Sequence, residues 1–495
     1  MLWFALHLHA LPLEAWLAAL GPWPTPRPSC VVEARRVLQA DAAAREAGIE
    51  PGMSAATAAS LAAGLQAFAR DPAREAAQVR RLALALARFT PSVVLQADGV
   101  LLEVSASLRL FGGPPALWRA VREAARACGV QSLRMAAAPT ATAAAVLARA
   151  EPPSPLLRRR PVRERLDALP LDAAARAWAI EPRLVALLQG VGCRTLGDVR
   201  MLPRTGAQRR GAAALLDAIA RAHGQAPDPQ SWFALPPRFE QSLELAHRAD
   251  DAAMLVFALQ RLVQPLAGWL AQQWLAAARL SLVLRHETSI RHAQPDTTVA
   301  LALADPTRDP AQIALLLRER LQRLALPAPV YALVLRLDQA VNHAGRDTAL
   351  WREAGAARGE DARALFDRLA ARLGPERVRR PVLAADHRPE RAMALRPLHE
   401  AVSRGFAIAP NAPRPAWLLP EPQRLAEDPA LGRPLHQGVP LVLASRAERI
   451  EAGWFDGEAV SRDYHVAQAR DHRWLWVFRE RRGAQSHWYL HGVFG

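Results

Sequence analysis

The 495-residue chain contains no lysine: all 63 basic residues are arginine, set against 47 acidic residues for a formal charge of +16. That absence excludes Schiff-base catalysis, a Walker-type phosphate lysine, and any nucleotidyl or phosphoryl transfer that relies on lysine. Cysteine is scarce as well. Cys30, Cys128 and Cys193 lie far apart with no CxxC pair, which excludes a zinc ribbon or a disulfide framework and fits a reducing cytosol. Long apolar runs are missing too. The most apolar stretch, Met254 to Leu284, is broken by Arg261, Pro265 and Arg279 and falls short of the ~20 apolar residues that span a bilayer. The opening Met1-Leu2-Trp3-Phe4-Ala5-Leu6-His7 has neither the basic segment nor the small-residue cleavage site of a signal peptide.

What is present is an ordinary amount of apolar material, 51% of residues, enough for roughly three domains at ~150 residues each. The arginine excess suits phosphate and planar polar groups, and nucleic acid is the partner that the charge points to first.

Residues 1–165 interleave short apolar runs with alanine-rich helices. Strands are expected at Trp3–Leu8, Val93–Gln96, Gly99–Val104 and Ser132–Ala137. Helices are expected at Pro12–Leu20, Ala40–Ala47, Ala73–Ala87 and Pro115–Cys128. The proline-bearing basic link Arg158-Arg159-Arg160-Pro161 marks a boundary. Residues 166–230 read as short helices separated by glycine turns, and 236–340 read as β-α-β-β-α-β, a two-layer split unit. Beyond 340 the chain is rich in proline and ends in aromatic strands from Trp454 to Phe494. The fold class is α+β and multidomain.

Three constellations carry chemical information. His7 and His9 lie two apart on the first strand and share a face, but no third ligand lies nearby to complete a metal site, and two structural histidines are the simpler reading. The second constellation is Leu95-Gln96-Ala97-Asp98-Gly99-Val100-Leu101-Leu102-Glu103-Val104, followed by Leu110-Phe111-Gly112-Gly113. With the first strand, it resembles the palm of the Y-family (translesion) DNA polymerases, where clustered carboxylates hold two metal ions. On that resemblance His7 stands at the first-strand aspartate, Asp98 is kept, and Gly99 replaces its neighbouring glutamate. One carboxylate cannot hold two Mg²⁺ ions, and imidazole is a poor ligand for them. The family's nucleotide-binding Tyr-x-x-Arg segment corresponds to Ala42-Ala43-Ala44-Arg45, which leaves Arg45 as a remnant. Its triphosphate lysine falls near Ala145, with Arg149 the nearest charge.

The third constellation runs from Leu184 through Gly190-Val191-Gly192-Cys193-Arg194-Thr195-Leu196-Gly197-Asp198-Val199 and resembles the helix-hairpin-helix of a Y-family thumb. There Gly190, Gly192, Arg194 and Thr195 would meet a DNA phosphate through backbone N–H groups and a helix N-terminus. The β-α-β-β-α-β unit matches the family's little finger. In the tail, Asp386-His387-Arg388-Pro389-Glu390-Arg391-Ala392, Arg414-Pro415-Ala416-Trp417, Glu448 to Gly457, Trp474-Leu475-Trp476-Val477-Phe478 and Trp488 to Phe494 resemble the ImuB family. That family comprises catalytically inactive, Y-family-like subunits of a bacterial mutagenesis complex.

The resemblance covers essentially the whole chain and implies a division into five parts. These are degenerate UmuC-like palm and fingers (1–165), thumb (166–230), little finger (236–340), linker (341–375) and partner-binding C-terminal region (376–495). It implies a non-catalytic scaffold in damage-induced (SOS) translesion synthesis. Its expected partners are primer-template DNA, the β sliding clamp, an error-prone C-family polymerase and an ImuA-like, RecA-related protein. No resident metal is implied. Mg²⁺ would enter only if the chain were an active polymerase with atypical ligands, and a DNA-structure-binding repair protein without clamp contact is the other alternative. Asp347, Leu350 and Trp351, in Asp347-Thr348-Ala349-Leu350-Trp351, are similar to clamp-binding peptides in which an apolar pair fills a pocket. The same residues would also serve as a loop covering a domain edge. The expected location is cytoplasmic and nucleoid-associated.

Overall fold

The strand expected at Trp3–Leu8 (β1) is an interior strand of the first sheet, antiparallel to both of its neighbours. It belongs to a computed structural model that describes residues 1–19, 27–150, 160–287, 295–343, 365–374, 376–398, 400, 413–481 and 486–495. The chain divides into two units, Met1–Arg372 and Leu373–Gly495. In sequence order the first region continues with α1 (Leu11–Leu17), β2 (Ser29–Glu33), β3 (Arg36–Ala40), α2 (Ala42–Glu46), α3 (Ala55–Leu61) and β4 (Gln66–Ala69). There follow α4 (Pro72–Leu86), β5 (Val93–Gln96), β6 (Gly99–Glu103), α5 (Pro114–Ala127), β7 (Leu133–Ala138) and α6 (Ala141–Ala150). The palm sheet has the order β5-β6-β1-β7.

β1 is apolar at nearly every position because both faces of its sheet are covered. Phe4, Leu6 and Leu8 pack with Val79 and Leu82 of α4 and Leu117 and Val121 of α5, whereas Trp3 and Ala5 pack with Ala144 and Leu147 of α6. His7 shares the Trp3 and Ala5 face by strand alternation and so points to the α6 side. A small fingers sheet, β3-β2-β4, was not anticipated from the sequence, which offered only a helix over Ala40–Ala47. The helix found there is α2, starting two residues later behind an Asp41 cap whose side chain accepts from the N–H of Ala44 at 2.7 Å.

Short thumb helices follow: α7 (Val162–Asp167), α8 (Leu171–Ala177), α9 (Pro182–Gly190), α10 (Leu196–Met201), α11 (Arg204–Arg209) and α12 (Ala213–Ala222). Their core is continuous with the α6 side of the palm. The expected β-α-β-β-α-β unit is present as β8 (Glu240–Ala249), α13 (Val256–Gln272), β9 (Leu275–His286), β10 (Thr297–Thr307), α14 (Pro310–Leu321) and β11 (Val330–Asn342). Its sheet order is β10-β9-β11-β8. Leu280, Leu282 and Leu284 of β9 face the two helices with Leu333 and Leu335 of β11.

Palm and little finger meet where α13 crosses α4. A Cβ on Gly268 would lie 1.9 Å from the Leu84 carbonyl oxygen and 2.9 Å from the Ala85 Cα, so only glycine permits this backbone approach. Around the crossing, Arg88 donates to Gln264 at 3.0 Å, Arg261 donates to the Ala18 carbonyl, and Arg74 pairs with Glu244 at 3.1 Å.

The second unit is the expected β-rich region. It contains a hairpin, β12 (Arg379–Leu383) with β13 (Met393–Pro397), and a larger sheet built from β14 (Trp417–Glu427), β15 (Pro434–His436), β16 (Val439–Pro440), β17 (Val442–Leu443), β18 (Glu448–Ala452), β19 (Val460–Gln468), β20 (Trp474–Glu480) and β21 (Trp488–Val493). Tyr464 stacks on Trp476 at 4.1 Å in its core. Arg388, 2% exposed, holds Asp386 at 2.7 Å and Asp456 at 2.6 Å, which ties two distant tail motifs together.

Gly268→Val should destabilise the first unit by about 3 kcal/mol, since the obstructing atoms are backbone and overpacking of this kind costs ~1–3 kcal/mol or more. Gly206→Ala, in a helix where a Cβ meets nothing, should be neutral or slightly stabilising. Urea denaturation of both variants checks the contrast.

Candidate functional site

Asp98 sits at the tip between β5 and β6, and the structure brings His7 and Arg149 to it. His7 Nδ1 lies 3.2 Å from Asp98 Oδ2. Arg149, from the end of α6, donates through Nε to Oδ2 at 3.1 Å and through Nη2 to Oδ1, a bidentate pair of the strongest geometry. Burial disfavours the charged carboxylate. The close His7 ring and the hydrogen bonds from Arg149, and then the charge of Arg149, outweigh it and hold Asp98 well below the usual carboxylate range. Arg149 is therefore engaged with the one remaining carboxylate and is not a free triphosphate ligand. Sequence reasoning had considered that second role for it and had missed the first.

Gly99 is paired with His7 in continuous sheet register. A Cβ at this position would lie 2.0 Å from the Leu6 carbonyl oxygen and 3.3 Å from the His7 Cα. The strand backbone thus occupies the place of any side chain at residue 99. Glu103 is four pairs further along, opposite Trp3, roughly 13 Å away at strand spacing, and its carboxylate accepts from the Ser105 N–H at 3.1 Å. A two-metal centre needs at least two carboxylates converging on one point, and these residues do not supply it. Among the described residues no three His, Cys, Asp or Glu side chains gather as a metal site.

His9 is turned to a cavity of about 540 Å³ that Arg45 and Gln39 of the fingers, Glu14 of α1 and Arg261 of α13 also line. Burial, then the charges of Arg134 and His7, push the His9 imidazole below its ordinary pKa, which favours the neutral ring. The cavity collects the two guanidiniums of Arg45 and Arg261 together with the carboxylates of Glu14 and Asp41.

In the thumb, the hairpin turn falls where expected, between α9 and α10, but its amides are not free for a phosphate. The N–H groups of Arg194 and Thr195 both donate to Asp198 Oδ2, at 2.8 and 2.9 Å. Those of Val191, Gly192 and Cys193 bond to Leu187, Gln189 and Leu188 carbonyls. Thr195 and Asp198 form a capping box, a structural use of the acid that spacing alone did not reveal. Gly190 ends α9, and the Arg194 side chain is exposed, as is Val191 in the turn itself. Asp347, Leu350 and Trp351, and the Arg158-Arg159 link, lie outside the described residues.

The architecture is that of a polymerase-like palm with fingers, thumb and little finger, and residues 23–149 match the impB/mucB/samB (IMS) family. Over 483 residues, 90% of this chain and the whole of its relative, the sequence is 28% identical to Protein ImuB of Caulobacter vibrioides strain NA1000 / CB15N, and equally to that of strain ATCC 19089. The chain is thus ImuB-like over most of its length, in agreement with the resemblance drawn from its motifs. Among solved structures it is similar to a Dbh ternary complex (16% identity, 69% of this chain and 99% of that one, TM-score 0.40). It is also similar to DinB from Sulfolobus solfataricus (17% identity, the same coverage, TM-score 0.38).

Arg149→Ala should remove about 1 kcal/mol of stability at neutral pH, a charged hydrogen-bond pair discounted for partial exposure. Because the folded-state pKa of Asp98 is depressed, this stability is present above the ordinary carboxylate range and is lost as pH falls through the folded value. Denaturation midpoints of the two proteins should therefore converge on acidification, and a gap that persists into strong acid would contradict the assignment.

Proposed function

We propose that the chain is a non-catalytic, DNA-binding scaffold for translesion synthesis, a polymerase-shaped body whose metal centre is replaced by an internal ion pair. The observation that carries this reading is the Asp98 cluster: its carboxylate is bidentately paired with Arg149 and its sheet backbone is closed at Gly99. The chemistry of two-metal phosphoryl transfer has no second acid to work with. The alternative of an active polymerase with atypical ligands is disfavoured on the same ground.

DNA binding draws support from charge and surface shape. The first unit carries 45 arginines against 33 acidic residues. On the little-finger sheet, the face opposite its helices presents Thr298, Ala300 and Ala302, small side chains that let a strand of DNA approach closely. Arg279 stands beside them opposite Ala302 and, among the described residues, has no carboxylate partner. Thumb arginines such as Arg194 would add phosphate contacts.

The sliding clamp, a C-family polymerase and an ImuA-like protein are proposed as partners on the ImuB-like character of the chain. Leu350 and Trp351, with Asp347, would take the clamp. In the C-terminal unit, Trp454 and Phe455, 78% and 70% exposed, would serve a protein partner. The Arg388–Asp456 pair fixes the loop that presents them.

The purified chain should give no primer extension with Mg²⁺ or Mn²⁺. Extension that disappears on Asp98→Ala would overturn the scaffold reading. Binding to DNA should weaken steeply with salt, and Arg279→Ala should lower the slope of log K against log[salt] by about 1, as read from fluorescence anisotropy titrations.

A further inference from the structure

Trp274 stands at the first position after the C-cap of α13 with φ +56°, the place where helices turn left-handed and where glycine is cheapest. For a bulky side chain this backbone costs roughly 1–2 kcal/mol. The cost is not offset by burial, because the indole is 72% exposed. The backbone around it is held on both sides: the Trp274 N–H donates to Ala271 O at 3.3 Å, and its carbonyl accepts from the His343 N–H at 2.9 Å. The two preceding residues, Gln272 and Gln273, line a cleft of about 360 Å³ closed on its other side by Ala87, Pro91 and Phe233. Among the described residues neither glutamine amide has a hydrogen-bond partner. A strained, exposed indole is an arrangement that folding alone does not explain.

We propose that Trp274 is a stacking platform for an unpaired nucleobase of bound DNA. The inference rests on the DNA-binding reading above and goes beyond it, since that reading assigns only phosphate contacts. An indole face stacks on any base without sequence preference. The net positive charge of the unit supplies the long-range attraction that stacking lacks. A protein segment docking through apolar contact is the competing occupant, and it would not distinguish an aromatic side chain from an aliphatic one of similar bulk.

The test compares the full-length chain with Trp274→Gly, Trp274→Phe and Trp274→Leu. Binding is measured to a fluorescein-labelled oligothymidylate and to an abasic strand of the same length and charge, over a range of salt. Trp274→Gly should melt at the same or a higher temperature, because glycine relieves the left-handed strain. It should nevertheless bind oligothymidylate about tenfold more weakly with an unchanged salt slope. Phe should retain most of the affinity and Leu should lose it. The wild-type advantage should vanish on the abasic strand. Equal affinities of wild type and Trp274→Gly for oligothymidylate, or an advantage that survives on the abasic strand, overturn the stacking role. Absence of any DNA binding by the wild type would instead overturn the broader reading on which it rests.

Discussion

A carboxylate at the end of a palm hairpin, 37% exposed at its side chain, needs a cation, and in this chain the protein provides it. Arg149 reaches from α6 to grip Asp98 with two donors, and the His7 ring of β1 lies against the same carboxylate, its Nδ1 3.2 Å from Oδ2. A mobile ion would leave the carboxylate free to exchange ligands, whereas a guanidinium attached to a helix fixes both partners. The pair therefore joins the palm sheet to α6, and α6 in turn shares its apolar face with the thumb helices. The Asp98–Arg149 pair is thus a structural tie between two subdomains.

The same preference for internal arginine partners recurs through the fold. Arg388 brings Asp386 and Asp456 together, and Arg414 pairs with Glu448. Arg261 and Arg88 pass between palm and little finger to neutral oxygens. A chain without lysine uses the planar fork of arginine wherever a distant loop must be held. Part of the excess positive charge is thus internal, and the surface share is what could meet DNA.

Much of this was legible in the sequence. The first strand fell at Trp3–Leu8 as expected, and the order of the split β-α-β-β-α-β unit emerged from alternating apolar runs long enough to show their period. The fingers strands were not legible. Their hairpin turns through Ala34 and Arg35 at φ +47° and +63°, a left-handed pair that Asn-Gly usually announces and that Ala-Arg conceals. His7, Asp98 and Gly99 could be singled out from motifs, but the partner of Asp98 could not, because residues 98 and 149 come together only through tertiary packing. The thumb turn was located correctly, yet the capture of its amides by Asp198 depends on a side-chain rotamer that spacing does not specify.

On the scaffold reading proposed above, Gly99 gives the change of function a direction. Where an acid is merely replaced, a single codon change can return it. Here the main chain of β1 occupies the volume a side chain would need, so an acid at this position would have to push the two strands apart. Recovery would require an inserted residue or a bulge that re-registers the hairpin, together with release of Arg149. Ancestors and relatives at different stages of this loss should be ordered by strand register before they are ordered by residue identity.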